Sequence, residues 1–153
     1  MGGGTAAGAA ARALAAAGRH VVLLTEEDRS PYDRTVLSKD ALLHPAATVP
    51  EVWPPGASWR ERIEVRTSTK VASLDPDARR LVTASGEEIP FESVILATGA
   101  QPRRLALPGA DGAGVHYLRD TTDAAALASA LGHASRLVII GGGVIGLEVA
   151  AAA

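Results

Sequence analysis

Two textures of apolar residues alternate along the chain. Short continuous apolar runs, "HVVLLT", "SVILATGA" and "RLVIIG", have the character of parallel strands covered on both faces. Alanine-rich stretches carry helical spacing instead. One spans residues 4–17, where Gly8 is an early interruption and Gly18 the stop; the other runs from Asp120 or Thr121, either of which can cap it, to about Leu131. Between these lie shorter strands, "IEVRTS", "KVASLD", "RRLVTAS" and "EEIPF", with turns at "DPDA" and Ser85-Gly86, which predict a small meander. "EEDRSPYDRTVLSKDALL" begins as a loop broken at Pro31, and Ser38 or Asp40 can start a short helix. The proline-rich stretch from His44 to Ser58 reads as a surface excursion, and "QPRRLALPGADGAG" as a connection that suits a domain boundary.

Two places join a strand texture to a helix texture through glycines. At "RLVIIGGGVIGLEVAAAA" an apolar strand leads into Gly141, Gly143 and Gly146 and then an apolar helix. In such a loop the first glycine allows a tight turn and the second lets backbone approach a pyrophosphate. The third lets helix and strand pack closely. The helix N-terminus then offers unpaired N–H groups and the positive dipole end to the phosphates. "MGGGTAAGAAARALAAAG" fits the same pattern with Gly2, Gly4 and Ala7, and the acidic pair Glu26-Glu27 follows "HVVLLT" near the place where a carboxylate holds ribose hydroxyls. The strand expected before Gly2 is missing from the sequence. A glycine-rich strand-to-helix turn without a ligand is the plainer alternative for the second loop, and a plain Ala/Gly helix with a flexible N-terminus for the first.

Composition narrows the classes. Hydrophobic residues make up 47% of 153 positions and charged residues 21%, which is globular and not disordered. A net charge of −2 leaves no basic footprint for nucleic acid and no polybasic membrane patch, and no apolar run is long enough to span a bilayer. The N-terminus lacks the pattern of a secretory signal, so a cytoplasmic location is expected. Zero cysteines removes thiol chemistry from this stretch, and His20, His44, His116 and His133 show no metal-ligand spacing, so no metal is expected.

"GGGTAAGAAARAL", "SPYDRTVLSK", "VILATGAQPRRL", "LPGADGAGVHYLRDTTDAAAL" and "RLVIIGGGVIGLEVAAAA" stand in the order found in FAD-dependent pyridine-nucleotide oxidoreductases. The chain resembles most the ferredoxin reductase and apoptosis-inducing-factor-like group. That resemblance implies an α/β fold: a Rossmann-like FAD-binding domain with a small β-meander, followed by the start of an inserted NAD(P)-binding Rossmann domain. It places a partial FAD domain at 1–108, with its first strand missing, and a linker and truncated NAD(P)H domain at 109–153.

The same resemblance assigns residues. Gly2, Gly4, Thr5, Ala6 and Ala7 would line the FAD pyrophosphate, with Glu26 or Glu27 on the adenosine ribose. Val71 would meet the adenine through its backbone, and Ala97, Thr98 and Gly99 would form a small-residue turn close to FAD. Arg34 and Arg119 would stand beside the cofactor, Arg34 suited to a phosphate. Gly141, Gly143, Val144, Ile145 and Gly146 would form the NAD(P)H loop. Lys39 and Glu148 would lie at the flavin edge as the residues that tune hydride arrival. Without the family, Arg34 and Lys39 read as cations in a solvated loop, Arg119 as a helix-flanking surface charge, and Glu148 as a first-turn helix acid.

The implied activity is transfer of hydride from NAD(P)H to FAD and then of electrons to a ferredoxin-type iron–sulfur partner. The intact parent leaves room for a homodimer. Alternatives are a flavin NAD(P)H dehydrogenase serving a quinone or a nitrite reductase centre, a non-catalytic redox-sensing flavoprotein, and an inactive fragment. Thr35-Val36 departs from the family, many of whose members carry two prolines before "LSK".

Overall fold

In the computed structural model, which describes residues 1–44 and 48–153, the N-terminal alanine-rich stretch is helix α1 (Thr5–Ala16). Ala7, Ala11 and Ala15 recur every fourth residue and bury one stripe together with Gly8. Gly8 does not interrupt the helix; it lies inside it. Gly18, at φ +82, supplies the left-handed residue that ends it, with the Arg19 N–H closing on the Leu14 carbonyl at 3.0 Å.

Strand β1 (Val21–Leu24) pairs in parallel with β2 (Ile63–Arg66), Val21 opposite Ile63 and Leu24 opposite Arg66. "IEVRTS" therefore belongs to the parallel sheet and not to the meander that its length suggested. The meander is three-stranded, β3 (Val71–Asp75), β4 (Arg80–Thr83) and β5 (Glu88–Pro90), antiparallel in that order. Its turns follow the sequence: the Asp75 carboxylate accepts from the Ala78 N–H at 2.8 Å, and Gly86 takes φ +88.

The core against α1 holds Ala7, Ala11, Leu23 and Trp53, with Val21, Val52, Trp59, Ile63, Val65 and Ala97 packed around it. Trp53 corrects the expectation of a surface excursion over 44–58. Its ring meets Trp59 edge to face at 6.0 Å, and its indole N–H donates to the Gly8 carbonyl at 2.9 Å. Residues 45–47 of that stretch lie outside the described residues.

Two expected strands do not form among the described residues. In "SVILATGA" the backbone runs beside Met1, whose ammonium donates to the Ile95 carbonyl at 2.5 Å and whose carbonyl accepts from the Ala97 N–H at 2.9 Å. Gly2 in turn donates to the Leu24 carbonyl at 2.8 Å, so Met1-Gly2 sits between β1 and 95–97. That contact is too short to make a ladder, and Ile95 and Leu96 are exposed. "RLVIIG" has no ladder at all, and Val138 and Ile140 are each 75% exposed. Apolar texture sets a preference for extended backbone, whereas a strand also requires a neighbour to pair with.

The remaining elements are a 3₁₀ turn over Arg34–Val36 and helices α2 (Asp40–Leu43), α3 (Thr121–Leu131) and α4 (Val144–Ala152). Asp120 caps α3 through a capping box: its carboxylate accepts from the Asp123 N–H at 2.9 Å, while the Asp123 carboxylate accepts from the Asp120 N–H. The chain forms two compact units, Met1–Asp33 with Pro50–Gly99, and Arg34–Val49 with Ala100–Ala153. No helix among the described residues is long and apolar enough to cross a membrane, and no cluster of residues there suits a metal.

Candidate functional site

The glycine loop in the first unit is shaped by backbone. Gly2 has φ +124, and a Cβ there would lie 2.1 Å from the Ala97 carbonyl oxygen, so both conformation and space demand glycine. The loop and the Ala97-Thr98-Gly99 turn are thereby brought into contact, with Gly99 itself at φ +69. Gly4 is the N-cap of α1, extended at φ −99 and ψ −174, and no side chain caps the helix. The first-turn N–H groups of Thr5, Ala6 and Ala7 thus begin a helix with no acid in its first turn. An uncapped helix start is suited to an anion, because the unpaired N–H groups and the dipole act together.

Gly3 belongs to the site too. The fingerprint spacing skips it, but a Cβ there would fall 2.2 Å from the Thr25 hydroxyl oxygen. The signal available in the sequence was the unbroken run of three glycines.

The acidic pair separates. Glu26 faces solvent in an ion pair with Lys70 at 2.9 Å, both side chains more than 60% exposed, a pairing of little energetic consequence. Glu27 is half-buried, and its carboxylate accepts from the Tyr32 hydroxyl at 2.7 Å. Val71 opens β3 opposite Thr83, next to a register shift between Val71 and Ser73.

The second unit gathers the charged candidates. The Lys39 ammonium lies 3.2 Å from the Glu148 carboxylate, joining α4 to the N-cap residue of α2. Ser38, buried beside them, donates a short hydrogen bond to the same carboxylate. That hydrogen bond, helped by Lys39, holds Glu148 below the usual carboxylate range. The sequence alone points to Lys39 and Glu148 but offers Ser38 only as a possible helix start. α4 begins at Val144, so Glu148 is in its second turn and is not a first-turn acid. Arg34 donates to the Arg119 carbonyl at 3.1 Å, so these two meet through backbone, and the Arg119 N–H donates to Asp123 at 2.8 Å.

The second glycine loop repeats the logic of the first. Gly141 has φ +114, and Gly143 is an N-cap at φ −79 and ψ 169 without a side-chain cap. A Cβ at Gly146 would lie 3.0 Å from the Ile139 side chain, the close packing that the third glycine allows. Val144 and Ile145 open α4 directly after the cap and are exposed.

Gly2 and Gly141 are thus glycines by backbone conformation and Gly3 and Gly146 by close packing, and each loop ends at an uncapped helix start. The family model for pyridine nucleotide-disulphide oxidoreductases matches residues 1–153. The chain belongs to this family. It is 41% identical over 159 residues to the biphenyl dioxygenase system ferredoxin–NAD(+) reductase component of Paraburkholderia xenovorans, an alignment covering 100% of this chain and 38% of that protein. Among solved structures, the ferredoxin reductase for the CYP199A2 system from Rhodopseudomonas palustris matches with a TM-score of 0.88 at 32% identity, over 99% of this chain and 38% of that one. The covalent putidaredoxin reductase–putidaredoxin complex matches with a TM-score of 0.81 at 31% identity, over 99% and 38%. The resemblance carried by the five motifs and the α/β, Rossmann-like fold class both hold. The chain spans about two fifths of the length of these relatives.

Proposed function

We propose that the protein containing this chain is an FAD-dependent NAD(P)H oxidoreductase that passes electrons to a ferredoxin-type iron–sulfur protein. The observation that carries the reading is the uncapped start of α1 at Gly4, with Gly2 pressed against the Ala97 carbonyl. Small residues and free N–H groups fit a pyrophosphate, and a bulkier loop would not. On this reading Gly2, Gly4, Thr5, Ala6 and Ala7 hold the FAD phosphates, an acid after β1 takes the ribose, and Val71, Ala97, Thr98 and Gly99 border the cofactor. Arg34 and Arg119 stand beside it as a pair, and Gly141, Gly143, Val144, Ile145 and Gly146 hold the nicotinamide dinucleotide. Residues 1–108 are read as FAD-domain sequence and 109–153 as the linker and start of the NAD(P)H domain. Bound flavin supplies the two-electron to one-electron conversion. Lys39 and Glu148 set the charge beside it: the ammonium offsets negative charge, and the ionised carboxylate keeps that ammonium in place.

The assignment of a ferredoxin-type acceptor is supported by the names of the relatives, which include a dioxygenase-system ferredoxin reductase and a putidaredoxin reductase in complex with its partner. The test is made on the full-length protein. NADH or NADPH should bleach its flavin, and cytochrome c reduction should require added ferredoxin. Lys39→Ala and Glu148→Ala should slow flavin reduction in stopped flow by more than they weaken FAD binding. Reduction of a quinone without ferredoxin would move the acceptor to the alternative class, and bound FAD with negligible NAD(P)H turnover would make the protein a non-catalytic flavoprotein.

A further inference from the structure

We propose that Arg104 and Tyr117 form a clasp that closes residues 105–116 into a loop of fixed span, and that this clasp positions the NAD(P)H domain for flavin reduction. The positioning role rests on the reading above, in which residues 109–153 lead into that domain.

The sequence of the connection, "LALPGADGAGVH", favours slack. It holds Gly109, Gly112 and Gly114, and none of its residues is buried, so it has no core of its own to fix it. A flexible chain of this length would separate its ends by roughly 20 Å on average. The structure joins them instead. The Arg104 guanidinium lies 4.6 Å from the Tyr117 ring centre, within the range of cation–π attraction, and the Leu105 N–H donates to the Tyr117 hydroxyl at 3.1 Å. One tyrosine thus holds the side chain of one residue and the backbone of the next. Between these ends, turns follow one another. The Ala110 N–H donates to the Leu107 carbonyl at 3.0 Å, Gly112 to Gly109 at 3.0 Å, and Val115 to Gly112 at 2.9 Å. Joined ends around a chain of turns make an Ω-loop.

The Tyr117 end is anchored. Two residues on, the Arg119 N–H donates to the Asp123 carboxylate at 2.8 Å, its carbonyl accepts from Arg34 at 3.1 Å, and Asp120 caps α3. The clasp carries this anchor across the loop to residue 104, so the loop adds no slack to the chain that passes from there into α3. Reaction between two bound groups depends steeply on their alignment, and a slack connection spreads them over poses of which few are reactive. Arg104 and Tyr117 act through the connection and are positioning residues.

The experiment uses the full-length protein and two readouts. One is the rate of trypsin cleavage at the Arg104–Leu105 bond, followed by mass spectrometry; the other is flavin reduction by NADH or NADPH in stopped flow. Tyr117→Ala leaves the cleavage site itself unchanged and should be cut roughly tenfold faster, with Tyr117→Phe, which keeps the ring but not the hydroxyl, in between. Tyr117→Ala and Arg104→Ala should lower the limiting rate of flavin reduction by roughly tenfold, with FAD content and the half-saturating NAD(P)H concentration unchanged. Arg103→Ala, at the exposed neighbouring position, should leave that rate as it is. Arg104→Ala alters an exposed side chain and Tyr117→Phe a single hydroxyl, so both readouts stand even if Tyr117→Ala does not fold. Cleavage of the folded Tyr117 variants at the parent rate overturns the clasp. Faster cleavage with an unchanged limiting rate overturns its positioning role, as does equal slowing by Arg103→Ala. A full-length protein that neither dinucleotide reduces overturns the functional reading and the positioning role with it, while the cleavage rates still decide the clasp.

Discussion

At the scale of single residues, the most consequential arrangement is the hydroxyl of Ser38 on the Glu148 carboxylate, with Lys39 on its other oxygen. Removing the hydroxyl takes away the main cause of the lowered pKa and leaves only the half-exposed Lys39. Ser38→Ala should therefore raise the Glu148 pKa toward the ordinary glutamate value of about 4.3, followed by the carboxyl carbon shift in an NMR titration. The sign of the stability effect follows. A carboxylate with a depressed folded pKa contributes stability above its unfolded value, and that contribution disappears as pH falls through the folded value. The substitution should then matter at neutral pH and lose its effect as pH falls through the depressed folded value of Glu148. Equal destabilisation at pH 7 and at pH 3 would show that Ser38 acts through packing alone. Lys39 and Glu148 could be named because each stands in a stretch, "SPYDRTVLSK" or "RLVIIGGGVIGLEVAAAA", that carries the family resemblance. Ser38 could not be given a role, because a hydroxyl before a lysine carries no signal until α4 brings Glu148 to it.

At the scale of elements, α1 shows why a glycine inside a helix is a weak stop signal. Gly8 costs about 1 kcal/mol against alanine by propensity, yet the helix continues because Ala7, Ala11 and Ala15 bury a face on either side of it. A Cβ on Gly8 would lie 2.5 Å from a Val52 methyl and 3.1 Å from the Pro31 Cβ. Gly8→Ala therefore sets a gain of about 1 kcal/mol in propensity against overpacking that typically costs about 1–3 kcal/mol. Steric conflict should win, and a denaturant titration should show net destabilisation. A more stable Gly8→Ala chain would mean that Val52 and Trp53 yield readily.

The same element explains what the sequence could and could not show. Helix α1, β1, the three antiparallel strands and the capped α3 were legible, since each is specified by its own residues and turns. The pairing of β2 with β1 was not legible, because partner choice depends on where α1 and Trp53 pack. Nor was the burial of Trp53: proline-rich sequence signals irregular backbone and says nothing of where one aromatic will insert.

Across the whole molecule, apolar surface is left in view in a patterned way. Val138 and Ile140 are three-quarters exposed, while Leu137 and Ile139 between them are about half as exposed. Val144 and Leu147 add to the exposed strip, at 69% and 66%. This alternation is that of extended backbone with Ile139 turned toward Gly146, although the segment pairs with no neighbour among the described residues. The contribution of Val138 and Ile140 to the stability of this chain must then be small, because neither is removed from water. The double substitution Val138→Thr, Ile140→Thr should change the unfolding free energy by no more than about 0.5 kcal/mol per site. It should, however, lower the fluorescence of a hydrophobic dye such as ANS and reduce any concentration-dependent sedimentation, because contiguous exposed apolar surface drives both. A loss of about 2 kcal/mol or more, the scale expected for buried side chains, would show that the strip is covered in solution. The two measurements separate exposure from burial, since one reads surface and the other reads what folding removes from water.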